Sequence, residues 1–310
     1  MKPCVLVTGA SGYTGSQVAA RFVASGYRVE IMLRNQSSEY LQRVPPTAGR
    51  NLLTGRPGET FEIVSRIRPD FICHVAGLSD TRTNPGNIRS LIEANTIMAA
   101  ELMEACCLAN SKGFIFAGSY SQHHGGNHGI EPNSLYAATK ASTQLVASYY
   151  ARLRNLNSIE LILFDTYGPN DRRGKILNLF DKATTSKDPV SLTPGQQLIS
   201  PCHIDDVCGA FSTALDLLIS GSEVQGRCRS YYVHGPELMT LRQMAEIYEK
   251  VRRKKLNVSW GGIDYPDGQI FKPYVGPALP GWVAQTGFET GLRKIYGEEH
   301  SLSPTGIDNQ

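Results

Sequence analysis

Tyr136 and Lys140 stand four residues apart in the stretch Tyr136-Ala137-Ala138-Thr139-Lys140. On a helix, side chains at i and i+4 share a face, so this spacing presents a phenol and an ammonium together. A free tyrosine titrates at about pH 10. A neighbouring ammonium stabilises the phenolate, which predicts a tyrosine able to exchange a proton at neutral pH. A hydroxyl for the same chemistry lies just upstream. The apolar run Gly113-Phe114-Ile115-Phe116-Ala117-Gly118 ends at Ser119, followed by Tyr120 and Ser121. A hydroxyl where a strand leaves its sheet can hydrogen-bond a carbonyl or alcohol oxygen while Tyr136 moves the proton. Ser119 is the first candidate and Ser121 its competitor.

A second motif opens the chain. Gly9-Ala10-Ser11-Gly12-Tyr13-Thr14-Gly15 is a G-x-x-G-x-x-G turn between the apolar run Val5-Leu6-Val7 and a helical pattern through Ser16–Phe22. Gly9 serves the sharp turn out of the strand. Gly12 lets the backbone approach a pyrophosphate, and Gly15 lets the helix pack closely on the sheet. The helix N-terminus offers free N–H groups to phosphate. The turn (Gly9, Ser11, Gly12, Tyr13, Thr14 and Gly15) therefore reads as a dinucleotide site, and Lys140 can also hold the nicotinamide ribose. The next strand ends Ile31-Met32-Leu33-Arg34-Asn35, with no carboxylate until Glu39. An acidic residue at that tip would bind a ribose 2′-OH, whereas an arginine accommodates a 2′-phosphate. Arg34 therefore favours NADP(H), with NAD(H) the alternative.

The elements that must position these residues alternate. Strands are expected at Val5–Val7, Tyr27–Leu33, Phe71–Ala76, Gly113–Gly118 and Ile159–Leu163, and long helices at Ile88–Leu108 and Ser134–Leu153. Such alternation predicts an α/β fold: a Rossmann-type doubly wound parallel sheet with a smaller C-terminal substrate-binding lobe. The expected division is residues 1–165 for the dinucleotide-binding domain and 166–300 for a mixed lobe, some of whose segments return to the sheet. Residues 301–310 read as a flexible tail.

Composition excludes several classes. The chain has 310 residues, 41% hydrophobic and 19% charged, which supports a folded core. Its 31 Lys+Arg against 28 Asp+Glu are too balanced for a dedicated nucleic-acid binder. Arg252–Lys255 reads as the solvated end of a helix. No apolar run is long enough to span a membrane, and the N-terminal stretch does not read as a signal peptide. The seven cysteines contain no CxxC pair and read as reduced thiols, so a cytoplasmic protein is expected. His123, His124 and His128 lie in one loop and read as a cover over the substrate, with no metal expected. One of Asp205 and Asp206 is expected to cap the helix Val207–Leu218. Trp282 reads as packing or as a flank for a base.

With these residues in view, the chain resembles an extended short-chain dehydrogenase/reductase of the NAD-dependent epimerase/dehydratase family. The resemblance rests on the glycine turn, the strand His74-Val75-Ala76-Gly77 and Asn95 in the following helix. It continues through Ser119, Tyr136, Lys140, Tyr167-Gly168-Pro169 and His203-Ile204-Asp205-Asp206-Val207. It implies that Ser119, Tyr136 and Lys140 form the catalytic triad. It also implies that Ala76, Gly77, Asn95 and Thr166 belong to the cofactor site, and that two subunits pair through the 88–108 and 134–153 helices in a four-helix bundle.

The departures narrow the reading. Dehydratases of the family carry an Asp-Glu pair after the catalytic hydroxyl, where this chain has Tyr120 and Ser121. Asp165 replaces a common Asn beside the substrate pyrophosphate and is expected to turn away or pair with Arg172 or Arg173. Ile199 replaces an arginine that reaches the nucleotide. The stretch 164–175 and Pro194-Gly195-Gln196-Gln197 resemble CDP-4-keto-deoxyhexose reductases of the abequose and paratose synthase type. Ser121, Asp165, Arg172 and Lys175 are the expected substrate residues, with Arg173 a further candidate for the diphosphate. The resulting expectation is an NADPH-dependent reductase delivering hydride to C4 of a nucleotide-linked 4-keto-deoxysugar, in deoxysugar biosynthesis for a surface polysaccharide or natural product. A nucleotide-sugar epimerase with tightly held NAD is the nearest alternative. A dinucleotide-sensing regulatory protein is a third, which would need no Tyr–Lys pair.

Overall fold

The computed structural model describes residues 2–34, 38–54, 56, 58–124, 129–221 and 226–297. The first apolar run forms β1 (Cys4–Thr8), buried on both faces as a central parallel strand requires. It feeds α1 (Tyr13–Ala24) across the glycine turn, and then β2 (Arg28–Leu33) and β3 (Gly49–Leu52). The next elements are α2 (Glu59–Ile67), β4 (Phe71–His74), α3 (Ile88–Ile92), α4 (Met98–Leu108), β5 (Gly113–Ser119), α5 (Leu135–Arg154) and β6 (Ser158–Leu163). Among the described residues these strands and β11 (below) form one seven-stranded parallel sheet, in the order β11-β6-β5-β4-β1-β2-β3. The order reverses between β1 and β4, and the crevice above that point is where a doubly wound fold accepts a ligand.

The expected helix over 88–108 is present but not regular. Residues Glu93–Ile97 form a π-helical segment between α3 and α4. Single π turns often occur at functional sites, and this one carries Asn95. Apolar periodicity missed β3 and α2, the first because Gly49-Arg50-Asn51-Leu52 is short and mostly polar.

Beyond β6 the chain forms β7 (Thr166–Tyr167), α6 (Ile176–Ala183), β8 (Val190–Leu192), β9 (Leu198–Ile199), β10 (Cys202–His203) and α7 (Ile204–Ser220). It continues with β11 (Cys228–Val233), β12 (Met239–Thr240), α8 (Leu241–Arg252), β13 (Val258–Trp260) and α9 (Phe288–Tyr296). Strand β11 returns to the sheet beside β6, and the core on that sheet face includes residues of both α1 and α7. The opposite face packs residues of α2, α4 and α5. A separate core of Phe180, Met244, Tyr248, Phe288 and Leu292 holds α6, α8 and α9 together beside the carboxyl ends of the strands.

Candidate functional site

Ser119 is the last residue of β5, and the backbone turns there into a single 3-10 turn, Tyr120–Gln122. Its Oγ accepts from the Ser121 N–H at 3.3 Å, and its own N–H donates to Gln122 Oε1 at 2.6 Å. Helix α5 starts where the Ser134 hydroxyl accepts from the Ala137 N–H at 3.2 Å. That cap sets the helical phase in which Tyr136 and Lys140 face the end of β5. Tyr136 shares a hydrogen bond with Ser119. Lys140 is buried, and its Nζ donates to the Ala117 carbonyl at 2.9 Å. The three residues line one cavity of about 450 Å³.

The electrostatics depart from the sequence expectation in one respect. Burial raises the Tyr136 phenol above its usual value, opposed by the Ser119 hydrogen bond and the charge of Arg173. The Lys140 ammonium is itself engaged by the Ala117 carbonyl. Burial brings Lys140 itself down to about 8, with Glu160 opposing.

The same cavity is lined by Gly9, Ser11, Gly12, Tyr13, Thr14, Gly15, Arg34, Ala76, Gly77 and Thr166. Gly12 caps α1 with no side-chain hydrogen bond, so the first N–H groups of the helix carry no side-chain cap. Gly9 has φ +81°, and a Cβ there would lie 2.5 Å from the Ala76 nitrogen. A Cβ on Gly15 would collide with the Gly9 carbonyl. Asn95 does not line the cavity. It sits behind it, accepting from the Leu78 N–H at 2.8 Å and donating to the Leu78 carbonyl at 3.0 Å and to Thr139 Oγ1 at 2.9 Å. It therefore ties the Gly77 loop to α5, a supporting role instead of the expected direct contact.

A second cavity of about 390 Å³ adjoins the first and shares Tyr120, Asp165, Thr166 and Lys175 with it. Its far side is built by α6, α8 and α9, through Asn178, Met244 and Tyr296 among others. Lys175 lines both cavities, and Ser121 lines the first.

Asp165 neither turns away nor pairs with an arginine. It lines both cavities and hydrogen-bonds the Tyr120 hydroxyl. Burial raises its carboxyl, with Lys175 pulling the other way. Arg172 lines neither cavity; its guanidinium pairs with Glu39 at 2.8 Å on the surface. Arg173 does line the first cavity. It lies 4.7 Å from the centroid of the Tyr13 ring, donates to the Thr166 carbonyl at 2.9 Å and is paired with Asp171 at 2.6 Å.

Other expectations are also corrected. His123 packs against the rings of Tyr232 and Tyr274, with Nδ1 2.9 Å from the Gly129 carbonyl, and lines neither cavity; His128 lies outside the described residues. The cap of α7 is His203, whose Nδ1 accepts from the Asp205 N–H at 3.3 Å. Asp206 instead holds the Gln285 and Thr286 N–H groups. For Trp282 the packing reading holds: it packs on the core of the sheet with Nε1 donating to the Asp206 carbonyl, and it lines neither cavity.

Two residues escaped the sequence reading. Tyr120, treated there only as a missing acid, walls both cavities, its ring stacked on Phe164 at 5.0 Å. Glu160 is fully buried on β6. Burial pushes its carboxyl up to about 7, with bonds from Ser230 and Gln122 opposing. The one signal for it was a charge inside the apolar run Ile159-Glu160-Leu161-Ile162-Leu163.

Residues 5–224 match the NAD dependent epimerase/dehydratase family. The chain belongs to that family. Membership makes it an enzyme of the extended short-chain dehydrogenase/reductase type. It is 25% identical to the CDP-abequose synthase of Yersinia pseudotuberculosis, over 87% of this chain and 91% of the relative. It is also 25% identical to UDP-glucuronate 4-epimerase 1 of Arabidopsis thaliana, over 94% of this chain and 75% of the relative. In fold it is similar to the UDP-glucuronic acid 4-epimerase of Bacillus cereus, solved with UDP-glucuronic acid and NAD. The TM-score is 0.81 at 19% identity, covering 94% of this chain and 98% of that one. The family resemblance drawn from the motifs therefore holds, and the seven-stranded Rossmann-like sheet is that of the epimerase structures.

Proposed function

We propose that this family member is an NADPH-dependent reductase of a nucleotide-linked 4-keto-deoxysugar, with Ser119, Tyr136 and Lys140 as its catalytic residues. The observation that carries the reading is the position of the Ser119–Tyr136 pair in one cavity, next to the Tyr120–Asp165 wall that opens onto a second. A cofactor in the first and a sugar nucleotide in the second would meet there.

The residues of the first cavity fit a dinucleotide. The N-terminus of α1, without a side-chain cap, supplies N–H donors for a pyrophosphate, and Gly12 leaves room for its approach. Arg34 stands at the edge of the cleft, and the first carboxylate beyond it, Glu39, is already paired with Arg172. Both features support NADP(H) over NAD(H). When bound, the cofactor supplies hydride to the carbonyl carbon. Tyr136, whose phenol burial raises, donates a proton to the developing alkoxide. Ser119 hydrogen-bonds the same oxygen. Lys140, still mostly an ammonium at neutral pH, would hold the nicotinamide ribose. Lys175, which lines both cavities, would meet the sugar nucleotide's diphosphate. The CDP-abequose synthase relationship supports a cytidine diphosphate sugar as substrate.

The test is Tyr136→Phe with a CDP-4-keto-deoxyhexose and NADPH. Turnover should fall by about 10²–10⁴-fold while NADPH binding stays within about twofold. Reduction at the parent rate would refute the assignment. A nucleotide-sugar epimerase is the second reading, favoured by the UDP-glucuronate 4-epimerase relatives and by NAD in the similar structure. Cofactor released from purified protein separates the two: retained NAD marks the epimerase, freely exchanging NADPH the reductase.

We further infer a cytoplasmic homodimer, with the first 165 residues holding the cofactor and most of the remainder shaping the sugar-nucleotide pocket. Among the described residues no helix is long and apolar enough to cross a membrane. The support for the dimer is an exposed apolar stripe on the two expected helices. Leu145, Tyr149 and Leu153 recur every four residues along α5, with Leu145 62% exposed, and Ile88, Ile92 and Leu108 are exposed on α3 and α4.

A further inference from the structure

A carboxylate on an inner strand of a parallel sheet is costly to bury and persists only with partners. Glu160 lies on β6 between β5 and β11, with no exposed surface, and each of its oxygens has a donor. Gln122 Nε2 donates to Oε1 at 3.1 Å, and Ser230 Oγ donates to Oε2 at 2.6 Å. Ser230 in turn accepts from Gln144 Nε2 of α5 at 2.8 Å. On the other side, the Gln122 amide oxygen accepts the Ser119 N–H at 2.6 Å. A continuous path therefore runs from β11 and α5 through Glu160 and Gln122 to the backbone of Ser119. Gly118 is shaped to it: a Cβ there would lie 2.5 Å from Glu160 Oε1 and 3.0 Å from Gln122 Oε1.

We propose that Glu160 is a positioning residue of the catalytic site, acting through Gln122 to fix the backbone turn from which Ser119 reaches the reacting oxygen. Without the carboxylate, the Gln122 amide loses the bond that orients it, and the Ser119–Gln122 turn loses its anchor. The Ser119 hydroxyl must sit within hydrogen-bond reach of the substrate oxygen to contribute. The Lys140 ammonium opposes the burial that raises the Glu160 carboxyl. On β11, Tyr232 and Cys228 also feel the Glu160 charge.

The function of Glu160 rests on the Ser119–Tyr136–Lys140 site and holds for reduction or epimerisation alike. The experiment compares Glu160→Leu and Glu160→Gln in the full chain. Leucine removes both hydrogen bonds at similar volume. Glutamine can restore them, its amide oxygen accepting from Gln122 and its N–H donating to Ser230. Glu160→Leu should fold and bind NADPH within about twofold of the parent. Its kcat with a CDP-4-keto-deoxyhexose should fall at least about tenfold at little-changed KM, and amide exchange at Ser119 should accelerate. Glu160→Gln should recover most of the kcat and of the amide protection. Two results overturn the proposal: a folded Glu160→Leu with parental kcat and parental Ser119 protection, or Leu and Gln variants equally impaired with weakened NADPH binding. If the parent does not reduce the probe, the reductase reading fails on that result alone, and Ser119 amide exchange still decides the role of Glu160.

Discussion

The glycine turn permits a paired experiment in which neighbouring glycines fail for different reasons. Gly9 has φ +81°, a region that costs other residues about 1–2 kcal/mol. A Cβ there would lie 2.5 Å from the Ala76 nitrogen and 2.8 Å from the Val75 carbonyl carbon, both backbone atoms of the adjoining strand end. Overpacking against atoms that cannot rotate away adds about 1–3 kcal/mol. Gly9→Ala should therefore lose about 2–5 kcal/mol of stability. Gly12 has φ −103°, open to any residue, and its Cβ would meet only the Gly9 carbonyl oxygen, at 3.3 Å. Replacing a glycine cap by alanine costs up to about 1 kcal/mol. Gly12→Ala should thus fold nearly normally, yet place a methyl group between the α1 N–H donors and a pyrophosphate. NADPH affinity should drop at least about tenfold, which is about 1.4 kcal/mol. Urea denaturation reads the first effect and fluorescence titration of NADPH the second. If Gly12→Ala is as unstable as Gly9→Ala, or binds NADPH like the parent, the division of labour within the turn is wrong.

Three further outcomes follow from other parts of the molecule. His74 is buried with Nδ1 2.8 Å from the Thr8 hydroxyl, and burial lowers its pKa to about 3. The native state therefore binds fewer protons than the unfolded chain between about pH 6.5 and 3, so stability is lost as pH falls through that window. The loss is about 1.4 kcal/mol per unit, and urea midpoints of His74→Asn should decline less steeply there; parallel curves would contradict the assignment. Arg34→Ala should raise the KM for NADPH by about 10–100-fold, the worth of a charged hydrogen bond, while NADH moves little; equal effects on both would remove Arg34 from the 2′-phosphate. The double variant Leu145→Lys/Leu153→Lys should sediment as a monomer at micromolar concentration where the parent is a dimer, and a parent that is already monomeric would refute the bundle.

Much of the fold was legible because central parallel strands are buried on both faces. They must be written as short apolar runs, and Val5–Val7, Phe71–Cys73 and Phe114–Phe116 are such runs. Strand β3 was not, since Gly49 and Arg50 at the sheet edge carry no such constraint. The Ser119, Tyr136 and Lys140 positions were legible for a related reason. Helical spacing and the end of a strand are local properties, and both survive in a one-dimensional reading.

What the chain alone could not settle was partnership. Arg172, Arg173 and Lys175 look alike as charges in one loop. Only the fold sends Arg172 to Glu39, Arg173 to Asp171 and the Tyr13 ring, and Lys175 to the junction of the cavities. Asp165 finds Tyr120 across 45 residues of chain, and Glu160 finds Gln122 and Ser230 on two other segments. Sequence determined the elements and the Tyr136–Lys140 spacing because backbone periodicity is local. Tertiary structure decided which charges face the cavities and which are neutralised, because a hydrogen bond or ion pair depends on distance in space and not on separation along the chain.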